Sequence, residues 1–149
     1  DVDKDCDAVV QQMANFKYIV LNAYAKDSQL RMLKGIIDLY KDDEKHVAVI
    51  TSTSGTQAGM DSSLKQQEYN WYCKNKKELI EFIEKAQQDL YDYPIQIYDV
   101  CPDTVDTDMS DGLWEEYPKL NAEDVAECVD MCFSKSYNIN KIVIQKNAK

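Results

Sequence analysis

The stretch that decides the fold reads Val47-Ala48-Val49-Ile50-Thr51-Ser52-Thr53-Ser54-Gly55. Four consecutive apolar residues, Val47 to Ile50, predict a strand that is buried on both faces, as in a parallel sheet. Glycines and a cluster of serine, threonine and aspartate predict a loop from Thr51 to Gln67. The strand would therefore deliver Ser52 to its carboxyl end, where open α/β sheets bind their ligands.

A tyrosine and a lysine four residues apart, Tyr72 and Lys76, open a long helix expected over about residues 68–91. The two share one helix face, and a nearby ammonium favours phenolate, lowering a tyrosine pKa from about 10 toward neutrality. General acid/base catalysis requires such a group. The pattern alone is weak, because 10 tyrosines and 17 basic residues, all but one of them lysine, yield about one match by composition. Tyr137 and Lys141 form a second match, but no strand that carries a serine precedes them. For Tyr72 and Lys76, the alternative is an exposed pair on the helix surface without a function.

Helices and short apolar strands alternate along the rest of the chain. Strands are expected at Tyr18–Leu21, Val47–Ile50, Ile95–Val100 and Lys141–Ile144. Helices are expected over residues 3–15, 28–40 and 68–91 and after Asn121, with Ser28 and Asn121 as N-caps. A short helix is also expected near 113–117. Such alternation predicts right-handed βαβ units in a three-layer, Rossmann-like α/β sandwich with a mostly parallel sheet, forming one domain over 1–149.

Composition excludes several classes of function. The 149 residues include 17 basic and 27 acidic side chains, a net charge of −10 that disfavours nucleic acid and anionic membrane surfaces. No apolar run approaches the roughly 20 residues that a membrane span needs. Five cysteines without a Cys-x-x-Cys pattern, beside one histidine, predict reduced thiols in a cytoplasmic protein and no metal site.

Several segments, in this order along the chain, resemble motifs of the short-chain dehydrogenase/reductases. Residues 18–24 resemble the strand that ends in Asn-Asn-Ala-Gly, and Val49–Gly55 resembles the serine segment. Tyr72 and Lys76 stand where the family's catalytic pair falls, and Pro102–Met109 resembles its Pro-Gly-x-Val-x-Thr segment. Asp1-Val2 is similar to the Asp-Val pair after the third strand. The resemblance spans nearly the whole chain, from that third strand onward.

The resemblance implies roles for individual residues and a cofactor, NAD or NADP. Ser52 would hold the substrate carbonyl or hydroxyl, Tyr72 would transfer a proton, and Lys76 would lower the pKa of Tyr72 and bind the nicotinamide ribose. The cofactor-binding residues implied by the family are Asp1, Val2, Asn22, Ala23, Tyr72, Lys76, Pro102, Val105 and Thr107. The helices around 28–40 and 68–91 would form the interface of a homodimer or tetramer.

The sequence departs from the family pattern at several places. Leu21 replaces an asparagine, and Asp103 replaces the glycine that follows Pro102, placing a negative charge near the expected pyrophosphate. The stretch between Asn22 and Ser52 is short and contains no asparagine to serve as the family's fourth catalytic residue. An extra turn is expected near Met60–Gln67. The Gly-rich turn is missing and the chain does not start with methionine, so we expect an N-terminally incomplete domain.

Three functions are open on these observations. The first is an NAD(P)(H)-dependent oxidoreductase acting on a small carbonyl or alcohol substrate. The second is a degenerate relative that keeps the fold as a binding or regulatory module without catalysis. The third is an unrelated α/β protein, such as a response-regulator-like or flavodoxin-like domain, but no acidic cluster or phosphate loop is arranged to support it.

Overall fold

The computed structural model describes residues 5–56, 64–112 and 115–147. Asp1 and Val2, which the family resemblance assigns to adenine binding, lie outside these ranges. Within them, no helix is both long enough and apolar enough to cross a membrane.

Four helices and four strands alternate along the described part of the chain. The helices are α1 (Cys6–Gln12), α2 (Ser28–Tyr40), α3 (Leu64–Asp89) and α4 (Ala122–Ser134), and the strands are β1 (Tyr18–Leu21), β2 (His46–Ile50), β3 (Gln96–Pro102) and β4 (Lys141–Ile144). Short 3₁₀ turns lie at Met13–Asn15, Thr53–Thr56 and Asp108–Ser110. The sheet has the order β1-β2-β3-β4 with every pair parallel, which confirms the predicted α/β architecture.

Both faces of the sheet are covered by helices. One face packs against α1, α2 and α3, with Leu33, Val47, Val49 and Ile83 completely buried. The other face packs against α4, where Ala48, Val100 and Cys132 form the centre of a smaller core. Burial on both sides explains why β2 reads as an uninterrupted apolar run, and it gives the three layers that the sequence predicts.

Two details of the first βα unit and the long helix differ from the predictions. Ser28 was expected to be an N-cap, but it lies inside α2, and its hydroxyl accepts a hydrogen bond from the Ala25 N–H at 3.1 Å. The helix α3 begins at Leu64, before the expected start, because Lys65 to Glu68 are all good helix formers. Of the extra turn expected at Met60–Gln67, the last residues are helical and the first lie outside the described ranges.

The segment after β3 also differs from the prediction. The helix expected near 113–117 is absent from its described part, residues 115–117, while residues 113 and 114 lie outside the described ranges. A 3₁₀ turn at Asp108–Ser110 forms instead, closed by a capping box between Thr107 and Ser110. The second predicted cap is confirmed, since Asn121 and Asp124 form a capping box at the start of α4.

Gly55 allows the turn that follows Ser52 to pack directly on α3. A Cβ atom at this position would lie 2.8 Å from Ile80 Cδ1, 2.9 Å from the Lys76 carbonyl carbon and 3.0 Å from the Lys77 nitrogen. Two of these three atoms belong to the helix backbone and cannot rotate away. The close approach therefore fixes the distance between the turn after Ser52 and the helix that carries Tyr72.

Gly55→Ala is expected to destabilise the protein by about 1 to 3 kcal/mol, because the added methyl group meets helix backbone. Gly35→Ala is the matched control, since the nearest atoms to a Cβ there belong to the Val10 side chain, at 3.4 Å, and alanine is favoured in a helix by up to about 1 kcal/mol. Urea unfolding of both variants checks the expectation. Equal stability of the two variants would show that the turn can move away from α3.

Candidate active site

The carboxyl ends of β1, β2 and β3 meet at one edge of the sheet and form the floor of a cleft of about 1710 Å³. Most of the residues implied by the family resemblance line this cleft. They are Asn22, Ser52, Tyr72, Lys76, Pro102, Val105 and Thr107. Ala23 is exposed and does not line it. The parallel arrangement thus brings together segments that lie far apart in the sequence.

Ser52 and Tyr72 are in direct contact at the centre of the cleft. The Ser52 Oγ accepts a hydrogen bond from the Ser54 N–H at 3.2 Å. The Ser52 side chain also acts on the Tyr72 hydroxyl, where it works to lower the pKa of the phenol. Tyr69, one helical turn before Tyr72, donates its hydroxyl to Ser54 Oγ at 3.1 Å and so holds the same loop on the helix. The side chains of Ser52 and Tyr72 therefore lie side by side in the cleft.

The pKa of Tyr72 is raised, not lowered as the sequence suggested. Burial of the side chain is the main cause, and the nearby Tyr24, Tyr69 and Cys73 add to it, whereas the hydrogen bond from Ser52 acts in the opposite direction. The phenol is thus neutral at physiological pH and available as a proton donor.

Lys76 is buried, with only 4% of its surface exposed. Its Nζ donates to Gln29 Oε1 at 2.7 Å and to the Ile50 carbonyl at 2.9 Å. The same nitrogen lies 5.6 Å from the ring centroids of both Tyr24 and Tyr72, within the range of a cation–π contact. The ammonium consequently sits against the face of the Tyr72 ring, and two of its three protons are held by the protein.

Burial lowers the pKa of Lys76 to about 8, while Cys101 and Asp99 act to raise it. Such a value leaves most of the side chain protonated at neutral pH. Loss of its charge therefore falls within the pH range in which most enzymes work, unlike that of an exposed lysine.

Asp103 directly follows β3, at the position where the family pattern has glycine. Its Oδ1 accepts hydrogen bonds from Thr53 Oγ1 at 3.1 Å and from the Thr104 N–H at 2.9 Å. These contacts tie the loop after β2 to the loop after β3, and they fix a carboxylate in the wall of the cleft. The residue has a structural function here that a glycine could not supply.

Asp99 is a carboxylate buried in the sheet beneath the site, with 1% of its surface exposed. The hydroxyl of Thr51, the neighbour of Ser52, donates to Asp99 Oδ1, and Lys141 Nζ lies 3.1 Å from Oδ2. Burial raises the pKa of Asp99, and its contacts with Thr51 and Lys141 counteract that rise. Lys141 of the second Tyr-x-x-x-Lys match is therefore a partner of a core carboxylate.

Two residues of the site escaped the sequence reasoning, Gln29 and Tyr24. Gln29 lies on the apolar stripe of α2, in line with Leu33 and Ile36, and is buried. A polar side chain on a buried stripe must find hydrogen-bond partners, which is the signal that could have revealed it. Tyr24 packs edge-on against Tyr72 with 4.9 Å between ring centroids. No comparable pattern in the sequence indicates that contact.

The five cysteines have free thiols. Among the described residues, no group of three histidine, cysteine, aspartate or glutamate side chains is arranged to hold a metal ion.

No protein-family model matches the sequence, and no curated protein matches it either. Solved structures do. A short-chain dehydrogenase/reductase from Vibrio parahaemolyticus is 18% identical, with a TM-score of 0.73 over 96% of this chain and 73% of that one. A short-chain dehydrogenase from Burkholderia cenocepacia J2315 in complex with NADP is 14% identical, with a TM-score of 0.72 over 98% of this chain and 66% of that one.

The closed form of a serine dehydrogenase complexed with NADP⁺ is also similar, at 18% identity and a TM-score of 0.72 over 100% of this chain and 76% of that one. Identities this low establish shared architecture. The chain has the fold of the short-chain dehydrogenase/reductases, as the sequence motifs suggested.

Lys141→Met is expected to lower the free energy of unfolding at neutral pH by about 1 to 3 kcal/mol, less than for a fully buried pair because Lys141 is 30% exposed. A buried carboxyl with a raised pKa contributes stability at low pH and loses it as pH rises through the folded-state pKa, and without Lys141 that loss is larger. The difference in unfolding free energy between Lys141→Met and the unmodified protein should thus be small near about pH 4 and grow toward about pH 8. Urea unfolding at both pH values measures it.

Lys74→Met is the control for that measurement, since the pair of Lys74 with Glu78 is exposed and spans 4.0 Å. It should change stability by less than about 0.5 kcal/mol at either pH. A deficit of Lys141→Met that does not depend on pH would contradict the assignment of Asp99 as its partner.

Proposed function

We propose that this chain, which has the short-chain dehydrogenase/reductase fold, is an NAD(P)(H)-dependent oxidoreductase that acts on a small carbonyl or alcohol substrate. The observation that carries the proposal is the convergence of Ser52, Tyr72 and Lys76 at the carboxyl ends of the parallel strands. Composition alone yields such a tyrosine–lysine pair about once in this sequence. It does not account for a serine hydrogen-bonded to the tyrosine and a cleft above both.

In the proposed reduction, a nicotinamide cofactor held in the cleft would supply the hydride for the carbonyl carbon. Tyr72 donates its phenolic proton to the carbonyl oxygen, so that the substrate becomes an alcohol. Ser52 donates its single hydroxyl proton in a hydrogen bond to the same oxygen. Lys76 faces the Tyr72 ring, and its positive charge stabilises that phenolate. Alcohol oxidation is the same sequence in reverse.

The residues present fit a nicotinamide cofactor at most positions. The cleft lies where open α/β sheets bind dinucleotides, and two of the three structures compared above hold NADP or NADP⁺. Lys76 keeps one proton beyond its two contacts within the described protein, and it would donate this proton to a ribose hydroxyl. Asn22, Ala23, Pro102, Val105 and Thr107 are the proposed further contacts, with Asp1 and Val2 at the adenine. The Asp103 carboxylate opposes the binding of a pyrophosphate nearby.

A non-catalytic binding module is the second candidate, and specific observations favour it. Asp103 places a negative charge in the wall of the cleft, and the Tyr24 ring covers Lys76 beside Tyr72. A module of this kind would bind a ligand in the cleft without turning it over. Cofactor binding without turnover of any carbonyl would identify it.

A homodimer or tetramer formed through α2 and α3 belongs to the same proposal, as does a cytoplasmic location. Both helices expose large apolar side chains outside the sheet contact, Leu39 on α2 and Trp71 on α3. Soluble oligomers are usually symmetric, so these faces would meet their own copies.

Binding of NADPH and NADH is the first measurement, by the change in reduced-nicotinamide fluorescence on titration with the purified chain. Saturable binding of either cofactor is expected. If neither binds, the oxidoreductase proposal fails.

Tyr72→Phe is expected to lower carbonyl reduction at least about 100-fold while binding of the cofactor is retained, because the proton donor is lost and the ring remains. Consumption of the cofactor with a panel of small aldehydes and ketones measures the effect. Tyr137→Phe is the matched control, since that tyrosine belongs to the second motif and is 64% exposed. A Tyr72→Phe variant that is as active as Tyr137→Phe would contradict the role of Tyr72.

A further inference from the structure

We propose that Gln29 is the positioning residue of this site, and that its side-chain amide sets the place and the charge state of Lys76. The inference rests on the proposed function for its catalytic meaning, but its physical content concerns Lys76 alone. The family motifs assign no role to this glutamine. It lies in the first turn of α2, after the loop that follows β1.

The Gln29 amide makes three hydrogen bonds to three different parts of the chain. Its Nε2 donates to the Leu21 carbonyl at 2.8 Å and to the Ile50 carbonyl at 3.0 Å. Its Oε1 accepts from Lys76 Nζ at 2.7 Å. The side chain is 2% exposed, so water does not replace these partners. Both amide protons are used, and the oxygen has one charged partner.

The orientation of this amide is fixed by the chemistry of its neighbours. Carbonyl oxygens only accept hydrogen bonds, and an ammonium only donates them. Rotating the amide by half a turn would set its oxygen against two carbonyls and its nitrogen against the ammonium. All three hydrogen bonds would be lost in a buried environment, where each unsatisfied polar group lowers stability by about 1 to 3 kcal/mol. Gln29 therefore presents its oxygen to Lys76 in one orientation.

This geometry links the proposed active-site segments at one point. Leu21 precedes Asn22 at the end of β1, and Ile50 lies two residues before Ser52 at the end of β2. The Ile50 carbonyl accepts hydrogen bonds from both Lys76 and Gln29. Gln29 therefore connects the ends of both strands to the lysine. The ammonium is thereby held at a fixed distance from the strand that carries Ser52.

The same contacts support the charge of Lys76. Burial disfavours an ammonium, and an amide oxygen at 2.7 Å favours it, so removing that oxygen should promote loss of the proton. The titratable groups that face Lys76 are Tyr24 before α2, Tyr72 on its own helix, and Asp99 and Cys101 on β3. None of these replaces an acceptor at the position of Gln29.

Gln87 on α3 offers a matched control within the same chain. Its Nε2 also donates to two backbone carbonyls, those of Ile97 at 2.8 Å and Asn140 at 2.7 Å. It lies near the end of α3, about three turns beyond Lys76. A purely structural amide bridge is thus present for comparison with the one that contacts Lys76.

The test is an NMR titration of Lys76 in protein labelled with ¹³C at lysine Cε, its signal assigned by its loss in Lys76→Met. In Gln29→Met the pKa of Lys76 is expected to fall by about one unit, a tenfold change in the proton affinity. In Gln29→Glu a carboxylate faces the ammonium, and the pKa should rise. In Gln87→Met it should stay within about 0.2 units of the unmodified protein. An unchanged Lys76 pKa in both Gln29 variants overturns the inference.

The unmodified protein supplies a measurement that does not depend on the folding of a variant. The side-chain amide ¹⁵N shift of Gln29 should follow the titration of Lys76, with the same midpoint, whereas that of Gln87 should not. If the Gln29 amide shows no such midpoint, the inference fails whatever the variants do.

Kinetics separate this inference from the proposed function. If carbonyl reduction occurs, the decline of kcat at high pH should move toward lower pH in Gln29→Met by the same shift that NMR reports. The pH dependence of kcat in Gln87→Met is expected to match that of the unmodified protein. Absence of cofactor binding together with the shifted Lys76 titration would reject the oxidoreductase and leave Gln29 as the residue that positions Lys76.

Discussion

A buried ammonium is the constraint on which the rest of this site depends. Lys76 loses nearly all contact with water, and such a charge is stable only where the protein supplies acceptors in its place. The acceptors come from separate parts of the chain: the carbonyl that ends β2, an amide oxygen in the first turn of α2, and the faces of two tyrosine rings. The strand end, both helices and the loop after β1 must consequently meet at one place, and the folded chain has little freedom to separate them.

The parallel sheet makes this meeting possible. Each strand ends at the same edge, so the residues after Leu21, Ile50 and Pro102 face one cleft although other elements intervene between them. The polar contacts that follow lock the three ends together. Asp103 holds Thr53, and Gly55 lets the turn beyond Ser52 settle on the backbone of α3. The serine and the tyrosine are brought together by contacts outside themselves, which is why the spacing between them along the chain need not follow a family rule.

Sequence reasoning reached the elements whose signals are local. The strands were recognisable from short apolar runs, and the same signals placed Ser52 after a strand end and Tyr72 and Lys76 on the following helix. What it missed depends on tertiary structure. The Ser28 hydroxyl accepts a hydrogen bond from the Ala25 N–H and does not cap the first turn of α2. The residue type alone cannot decide between these two local hydrogen bonds. The direction of the Tyr72 pKa shift follows from burial, which outweighs the opposing effect of Ser52. Gln29 could be suspected from its place on an apolar stripe, but its partners are set by a fold that brings residues 21, 29, 50 and 76 together.

The position of Gln29 within α2 has a consequence for how the chain tolerates changes of length. The residue lies at the beginning of the helix, next to the strand edge, while the other end of α2 runs toward the opposite edge of the sheet and connects through a turn to β2. Adding turns at that far end lengthens the helix along its axis but leaves the first turn where it is. The length of α2 beyond its packed residues and the geometry of the candidate site are therefore separable, and an α2 extended at its far end is compatible with an intact environment for the lysine.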